Sequence, residues 1–221
     1  MQLPKNRVIM AGVVILTFAI SLIAYPFLPD QVASHWGLSG EANGYLPKAW
    51  GLFILPLLSA GLALLFLLIP RIDPLRENIG KFRATYDGFA IVVLLFLLYL
   101  SFLTIAWNLG IRFGIAQLLS PAFGVLYYAC GILVGRARRN WFIGIRTPWT
   151  LSSERVWDRT HAIGGRLFRI AGILALPGTV LPGAAWLLIL GPVLLISVYL
   201  VAFSYFEYQK EEMRESGSGR A

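Results

Sequence analysis

Residues 50–69 read WGLFILPLLSAGLALLFLLI, an unbroken run without a charged side chain. A helix of about 20 apolar residues crosses a hydrocarbon core of ~30 Å, so this stretch has the length and composition of a transmembrane helix. Five further apolar runs occur along the chain, at residues 8–28, 89–109, 115–134, 165–181 and 184–206. The sequence therefore predicts an all-α fold, a polytopic membrane helix bundle of about six transmembrane helices.

The overall composition agrees with membrane insertion. Hydrophobic residues make up 57% of the 221-residue chain and charged residues only 14%, whereas about one-quarter of a soluble domain is charged. The net charge of +8 is spread over short segments between apolar runs and does not form one basic face, so we expect no direct nucleic-acid binding. Cys130 is the only cysteine and can form no internal disulfide.

The first and fifth apolar runs are the least regular. The first follows two cations, as a signal peptide does, but no small-residue cleavage site comes after it, so we keep it as the first helix. The fifth carries Arg166 and Arg169 near its start and Pro177 near its end. It spans the bilayer only if the arginines extend toward the headgroups, and otherwise the count falls to five.

The distribution of basic residues predicts the orientation. Of the 19 lysines and arginines, all but Lys48 and Arg112 fall in the termini and in alternate connections. Cytoplasmic segments carry the excess of these residues, so both termini should be cytoplasmic. The loop at 29–48 should then be external and the loop at 136–165 cytoplasmic. We expect a multi-pass protein of the bacterial cytoplasmic (inner) membrane.

Two membrane regions follow from this arrangement. Residues 1–110 should form an N-terminal three-helix region with the external loop, and residues 111–215 a C-terminal three-helix region with the cytoplasmic loop. Residues 216–221, which read SGSGRA, have the composition of a flexible linker or a cloning remnant.

The external loop and its flanks, residues 28–48, read LPDQVASHWGLSGEANGYLPK. This loop is a candidate ligand-binding segment through Asp30, His35, Trp36, Glu41, Asn43, Tyr45 and Lys48. One histidine and two carboxylates without paired spacing do not indicate a metal site, and we expect no metal. In the alternative interpretation, Trp36 and Tyr45 rest in the interfacial belt, while His35 and Asn43 bond to loop backbone groups.

The cytoplasmic connection contains a second candidate site. Pro148 prevents a helix from continuing through it, and Ser152 or Ser153 can cap a new helix that begins with Glu154. The apolar residues of that helix share one face, which predicts an amphipathic helix at the membrane surface. The alternative is a cytoplasmic binding site on which Arg146, Trp149, Glu154, Trp157 and His161 converge. The full set of candidate motif residues is Asn140, Gly144, Arg146, Thr147, Pro148, Trp149, Glu154, Trp157 and His161.

The clear spans lack the features of ion-coupled transporters and of enzymes. None has Asp, Glu, Lys or His in its interior, where an ionisable group would mark a translocation path. The chain has no HExxH, Gly-x-Ser-x-Gly or phosphate-binding GxxxxGK[ST] motif, so we predict no enzyme activity and no cofactor. Two other functions stay open: a transporter or flippase for an apolar or lipid-like substrate, and a membrane enzyme that uses His35 or His161.

Two segments resemble a known family. Residues 140–151, NWFIGIRTPWTL, followed by Glu154, Trp157, His161 and Gly165, resemble the signature of the SdpI family of bacterial membrane proteins. The external segment 28–48 resembles the N-terminal domain of unknown function that often precedes it. The resemblance covers nearly the whole chain.

This resemblance implies immunity to a secreted antimicrobial peptide of the cannibalism-toxin type. It further implies sensing of that toxin, with toxin contact on the external side and contact with a DNA-binding autorepressor at the cytoplasmic loops. Arg146, Thr147, Pro148, Trp149, Trp157 and His161 are matches to the motif only, and the resemblance assigns no chemical role to them.

Overall fold

A computed structural model describes residues 5–38 and 40–218 of the chain. It contains a helical bundle and one two-stranded antiparallel sheet. In chain order, the elements are α1 (Lys5–Ala24), β1 (Gln31–Trp36), β2 (Ala42–Pro47), α2 (Lys48–Ile72), α3 (Arg76–Gly80), α4 (Arg83–Asn108), α5 (Ile115–Arg136), α6 (Pro148–Ser152), α7 (Glu154–Ala175) and α8 (Ala185–Ser218).

Five helical segments among the described residues are long and apolar enough to cross a membrane. They agree with the predicted spans and lie at Lys5–Phe27, Lys48–Ile72, Arg83–Asn108, Ile115–Arg136 and Pro182–Arg214. The helical bundle expected from the sequence is therefore confirmed.

The fifth predicted span, 165–181, is the second half of α7 and the turn after it, and its charged residues keep it out of that set. It nevertheless runs antiparallel to α5 along the whole of that helix. Its first residue, Gly165, lies against Gly135 near the end of α5, and the Thr179 carbonyl accepts from the Gln117 side chain near the start of α5 at 3.1 Å. The segment thus passes through the same thickness as α5.

Glycines allow α5 and α7 to approach closely. A Cβ added at Gly165 would lie 2.7 Å from the Gly135 Cα, and one at Gly172 would lie 2.6 Å from the Gly124 carbonyl oxygen. These distances leave no room for a side chain, as is common where small residues line a membrane helix interface. The close contact accounts for the stability of α7 beside α5 despite its arginines.

Helix α2 contains two internal prolines, Pro56 and Pro70. A proline has no backbone N–H, so the carbonyl four residues earlier loses its helical donor. The Leu52 carbonyl instead accepts from the Ser21 hydroxyl of α1 at 3.1 Å, and the Phe66 carbonyl accepts from the Tyr86 hydroxyl of α4 at 2.9 Å. Unpaired backbone groups are costly in hydrocarbon, and neighbouring helices here supply the missing donors.

Three expectations need correction. The external loop was not predicted to contain strands, but it folds into the β1–β2 hairpin. The predicted surface helix is not separate, because α7 continues without a break from Glu154 into the fifth apolar run. Residues 216–218, assigned to a flexible tail, are the last residues of α8, and residues 219–221 lie outside the described residues.

Candidate functional site

The hairpin exposes a small group of polar side chains. His35, Asn43 and Tyr45 are exposed, and the His35 Nδ1 lies 2.5 Å from the Asn43 Oδ1 across the two strands. The two side chains therefore bond to each other. The alternative interpretation had them bond to loop backbone groups, and no such bond is found among the described residues. Tyr45 lies two residues after Asn43 in β2, and 60% of its surface is exposed. This face is available to a partner.

The base of the hairpin is fixed to the bundle. Asn108, the last residue of α4, bonds to both backbone groups of Ala33: its Oδ1 accepts from the N–H at 2.7 Å, and its Nδ2 donates to the carbonyl at 3.0 Å. Trp36 packs edge-on against Trp107, with 5.8 Å between ring centroids. Asn108 was not among the predicted site residues, although a polar residue at the end of a long apolar run was a signal for a structural role.

The remaining candidate residues of the hairpin lie at its ends. Lys48 forms an ion pair of 3.6 Å with Asp30 and lies 5.1 Å from the centre of the Tyr25 ring. At the turn, the Glu41 carbonyl accepts from the Gly37 N–H at 2.9 Å. Asp30 and Lys48 thus close the hairpin at its base, away from the exposed His35 and its neighbours.

At the other end of α4, the loop between α5 and α6 folds around buried Asn140. Its Oδ1 accepts from the backbone N–H groups of Phe142 and Ile143 at 2.9 and 2.7 Å. Its Nδ2 donates to the carbonyls of Arg138 and Ile143 at 2.8 and 2.9 Å. Asn140 therefore satisfies all four bonds that an amide side chain commonly makes and holds the loop closed.

His161 and Trp157 stack inside this loop, with ring centroids 3.8 Å apart. The His161 Nδ1 lies 2.8 Å from the Trp157 carbonyl, and its Nε2 accepts from the Ile145 N–H at 3.0 Å. Burial lowers the pKa of His161 to about 4, against the smaller raising effect of the Trp157 carbonyl. His161 is thus neutral at pH 7 with both ring nitrogens occupied, an arrangement that suits a structural role.

Gly144 completes the contact with His161. Its φ of +117° is a conformation that other residues rarely adopt, and a Cβ there would collide with the His161 Nε2. The indole N–H of Trp157 donates to the Ala137 carbonyl at 2.9 Å. The loop therefore rests directly on the first turns of α7.

The Thr-Pro part of the motif begins α6. Thr147 and Thr150 form a reciprocal capping box, and Pro148 occupies the first turn, where its missing N–H is not needed. The Thr150 hydroxyl also donates to the Ile145 carbonyl at 2.8 Å, and the hydroxyls of Thr147 and Ser204 lie 3.0 Å apart. These bonds connect the loop to α8.

The convergence of five motif side chains, which was the alternative interpretation of this segment, is not found. Exposed Arg146 donates to the Trp141 carbonyl at 2.7 Å, whereas Trp149 packs on Tyr205 with 5.2 Å between centroids. Glu154 is exposed at the start of α7. Of the five, the structure brings together only the stacked pair inside the loop.

Two buried carboxylates at this end were missed. Asp73 accepts from the Leu75 and Trp141 N–H groups at 2.6 and 2.9 Å and so links the α2–α3 turn to the loop. Glu207, 6% exposed, pairs with Arg159 at 2.6 Å and with Lys210 at 3.1 Å. For Asp73, its position between Arg71 and Arg76 was the available signal. No group of three potential metal ligands occurs in the described part of the chain.

These features define the class of the protein. It is a multi-pass helical membrane protein with a polar hairpin at one end and a closed, hydrogen-bonded loop at the other. Residues 12–60 match a domain of unknown function (DUF1648) and residues 136–204 match the SdpI/YfhL protein family. The resemblance to that family, which the motif at residues 140–165 indicated, is therefore confirmed.

The match extends over nearly the whole chain. The chain is 25% identical over 207 residues to "Immunity protein SdpI" of Bacillus subtilis (strain 168), which covers 94% of this chain and 97% of that protein. No solved structure matches significantly. The apolar helices and these matches support the expected location in the bacterial inner membrane.

Proposed function

We propose that the chain is a membrane immunity protein that protects its cell against a secreted antimicrobial peptide. The observation that carries this proposal is the end-to-end similarity to "Immunity protein SdpI" of B. subtilis. The hairpin falls within the matched DUF1648 segment and the closed loop within the SdpI/YfhL segment, so both candidate sites are parts of the shared architecture.

The hairpin is the proposed toxin contact. It presents His35, Asn43 and Tyr45 as exposed side chains, while Asn108 fixes its base. A rigid, exposed, aromatic and polar surface is well suited to bind a peptide without a large loss of conformational entropy. The positive-inside distribution supports an external position for this hairpin and a cytoplasmic position for both termini.

The two halves of the chain have separate proposed roles. Residues 1–110 carry the hairpin and would meet the toxin, and residues 111–215 carry the loop at 136–165 and would face the cytoplasm. Toxin sensing requires two arrangements of the bundle with different toxin affinities. A DNA-binding autorepressor held at the basic cytoplasmic surface is the proposed partner for such a signal.

Toxin challenge of living cells tests the proposal. A sensitive strain that expresses the chain should tolerate at least one member of a panel of secreted antimicrobial peptides, with the B. subtilis relative as positive control. The variants His35→Ala and Tyr45→Ala should lose most of the tolerance at equal protein level, while Arg71→Gln at the other end should keep it. No tolerance to any peptide tested would reject the immunity role.

Sensing needs its own measurement. A DNA-binding regulator encoded beside the gene should move to the membrane fraction when toxin is added, and this movement should require the chain. A regulator that stays soluble under these conditions would remove the sensing role and leave the immunity role standing.

A further inference from the structure

We propose that the Arg136 end of α5 is a binding site for an anionic phospholipid. The headgroup phosphate would occupy a basic cavity, and the two acyl chains would lie in two apolar grooves on either side of α5. The inference is independent of the immunity role, because it rests on charge, cavity shape and helix periodicity alone.

The basic cavity has a volume of about 740 Å³ and is bounded by the α3–α4 connection, the end of α5 and the first turns of α7. Its charged lining consists of four cations and one carboxylate: Lys81, Arg83, Arg136, Arg138 and Asp158. It is large enough for a phosphate with its glycerol, and its net charge is positive.

Two of the four cations have no acidic partner among the side chains that the structure describes. Asp158 pairs with Arg138 at 3.5 Å, and Arg83 pairs with Asp87 outside the cavity lining at 2.7 Å. Lys81 bonds to the Asn78 side-chain oxygen at 2.8 Å, and Arg136 bonds to the Thr85 hydroxyl at 3.0 Å. These two cations hold only neutral partners, and a phosphate anion would complement them.

Two grooves of about 370 Å³ each lie on opposite sides of α5. One lies between α4 and α5, where Val92 and Phe96 face Ala122. The other lies between α5 and α7, where Ala129 faces Ile173. Val125, 59% exposed, borders both grooves. The pair of grooves matches the two chains of one phospholipid that straddles α5.

Helix periodicity connects the grooves to the cavity. Positions 7 and 11 residues apart fall on one face of an α-helix. On α4, Thr85 of the cavity shares a face with Val92 and Phe96, and on α5, Arg136 shares a face with Val125. Eleven residues correspond to about 17 Å, close to half of a ~30 Å core. Each groove therefore lies on the same helix face as the cavity, at a depth that one leaflet's chains reach.

Arg169 supplies an additional reason for an anion at this face. It lies on the groove face of α7, seven residues after Ala162 of the cavity and four before Ile173 of the groove. Its side chain is exposed beside Gly131 and donates to the Gly165 carbonyl at 3.0 Å, and none of the ion pairs found among the described side chains includes it. A cation that faces lipid below the helix end is costly unless an anion or water meets it.

The test uses the purified full chain in a neutral detergent. Phosphatidylglycerol should raise the thermal unfolding midpoint more than phosphatidylcholine at equal concentration. The double variant Arg136→Gln/Arg169→Gln should need roughly thirtyfold more phosphatidylglycerol for the same shift, since each of the two surface cations contributes about 1 kcal/mol to anionic lipid binding. Val125→Trp, which fills the grooves without a change of charge, should also weaken the effect.

Controls separate the proposal from its competitors. Arg71→Gln removes an exposed arginine at the end of α2 and should respond to phosphatidylglycerol as the parent chain does. Native mass spectrometry of the parent chain, which needs no variant to fold, should show bound phosphatidylglycerol enriched over its share of the membrane. Equal effects of the two lipids, an equal shift with inorganic phosphate alone, or an equal loss in Arg71→Gln would overturn the proposal.

Discussion

The Tyr86 hydroxyl of α4 donates a hydrogen bond of 2.9 Å to the Phe66 carbonyl of α2, the one backbone acceptor in that turn that Pro70 leaves without a donor. Tyr86 is fully buried, and its ring also meets the Phe66 ring edge-on at 5.8 Å. One side chain thus supplies both packing and the missing backbone bond at a helix interruption inside the bundle.

Replacement of Tyr86 by Phe should lower the free energy of unfolding by about 1–3 kcal/mol, because the Phe66 carbonyl would remain buried and unpaired. Thermal unfolding in detergent measures the loss. Tyr199→Phe, at an exposed position of α8, should have little effect. In a Pro70→Ala background, a backbone N–H can replace the hydroxyl, so the same Tyr86→Phe change should cost less. Equal losses in both backgrounds would contradict this assignment.

The interface between α5 and α7 should be intolerant of a single methyl group. Gly165→Ala places a Cβ 2.7 Å from the Gly135 backbone, so the helices must separate, and a loss of about 1–3 kcal/mol is expected. Gly61→Ala in α2 is the matched control, because its Cβ would meet nothing within 4 Å. It should be neutral or slightly stabilising, by up to ~1 kcal/mol. Chemical or thermal unfolding of both variants distinguishes the two positions.

His161 should make the protein sensitive to mild acid. Its pKa is about 4 in the folded protein against 6.5 in the unfolded chain, so the unfolded chain binds the proton more tightly. Stability from this residue is complete above pH 6.5 and is lost as the pH falls from 6.5 toward 4, by roughly 3 kcal/mol in total. Unfolding midpoints across this range should fall less steeply for His161→Gln than for the parent chain. Parallel curves would show that other groups cause the acid sensitivity.

The hairpin should loosen without Asn108. Asn108→Ala removes both side-chain bonds to the Ala33 backbone, so hydrogen exchange of residues 31–47 should accelerate while that of α2 and α4 stays slow. Asn43→Ala, which removes only the exposed bond to His35, serves as the control. If both variants exchange like the parent chain, the Asn108 contact does not fix the hairpin.

Cysteine labelling tests the orientation on which the external assignment depends. In a Cys130→Ala background, His35→Cys and Arg146→Cys place single thiols at two exposed positions near opposite ends of α4. A membrane-impermeant maleimide added to intact spheroplasts should label the first and not the second. Labelling of both positions, or of Arg146→Cys alone, would contradict the predicted topology.

The membrane helices could be predicted because hydrocarbon thickness sets a length and composition that few other segments share. The hairpin could not be predicted in the same way. Adjacent Val32 and Ala33 are both buried and the register shifts beside His35, so β1 lacks the alternation that identifies a strand. In β2, Gly44 and Pro47 are residues that strands disfavour.

The motif at residues 140–165 was recognised by its resemblance and falls within the matched segment 136–204, but its geometry depends on contacts that no local pattern encodes. Asn140 bonds to backbone groups, and because every residue has these groups the local sequence does not reveal the bonds. Asp73 bonds to the Trp141 N–H, which lies 68 positions away in the sequence. The continuity of α7 was missed because Arg166 and Arg169 interrupt its apolar pattern. The energetic cost of these arginines depends on their depth in the membrane and on the glycine contacts between α7 and α5. Only the folded chain shows that depth and those contacts.

The two replacement donors along α2 have a mechanical consequence. Leu52 and Phe66 are 14 residues apart, which is about 21 Å of helix, and each is tied to a different neighbour. With both hydrogen bonds in place, α2 can neither slide nor rotate unless the Leu52 or the Phe66 carbonyl loses its donor. We therefore expect α1, α2 and α4 to move together as one unit. Because Asp73 also bonds to the Trp141 N–H of the loop after α5, any displacement of this unit would be transmitted to that loop.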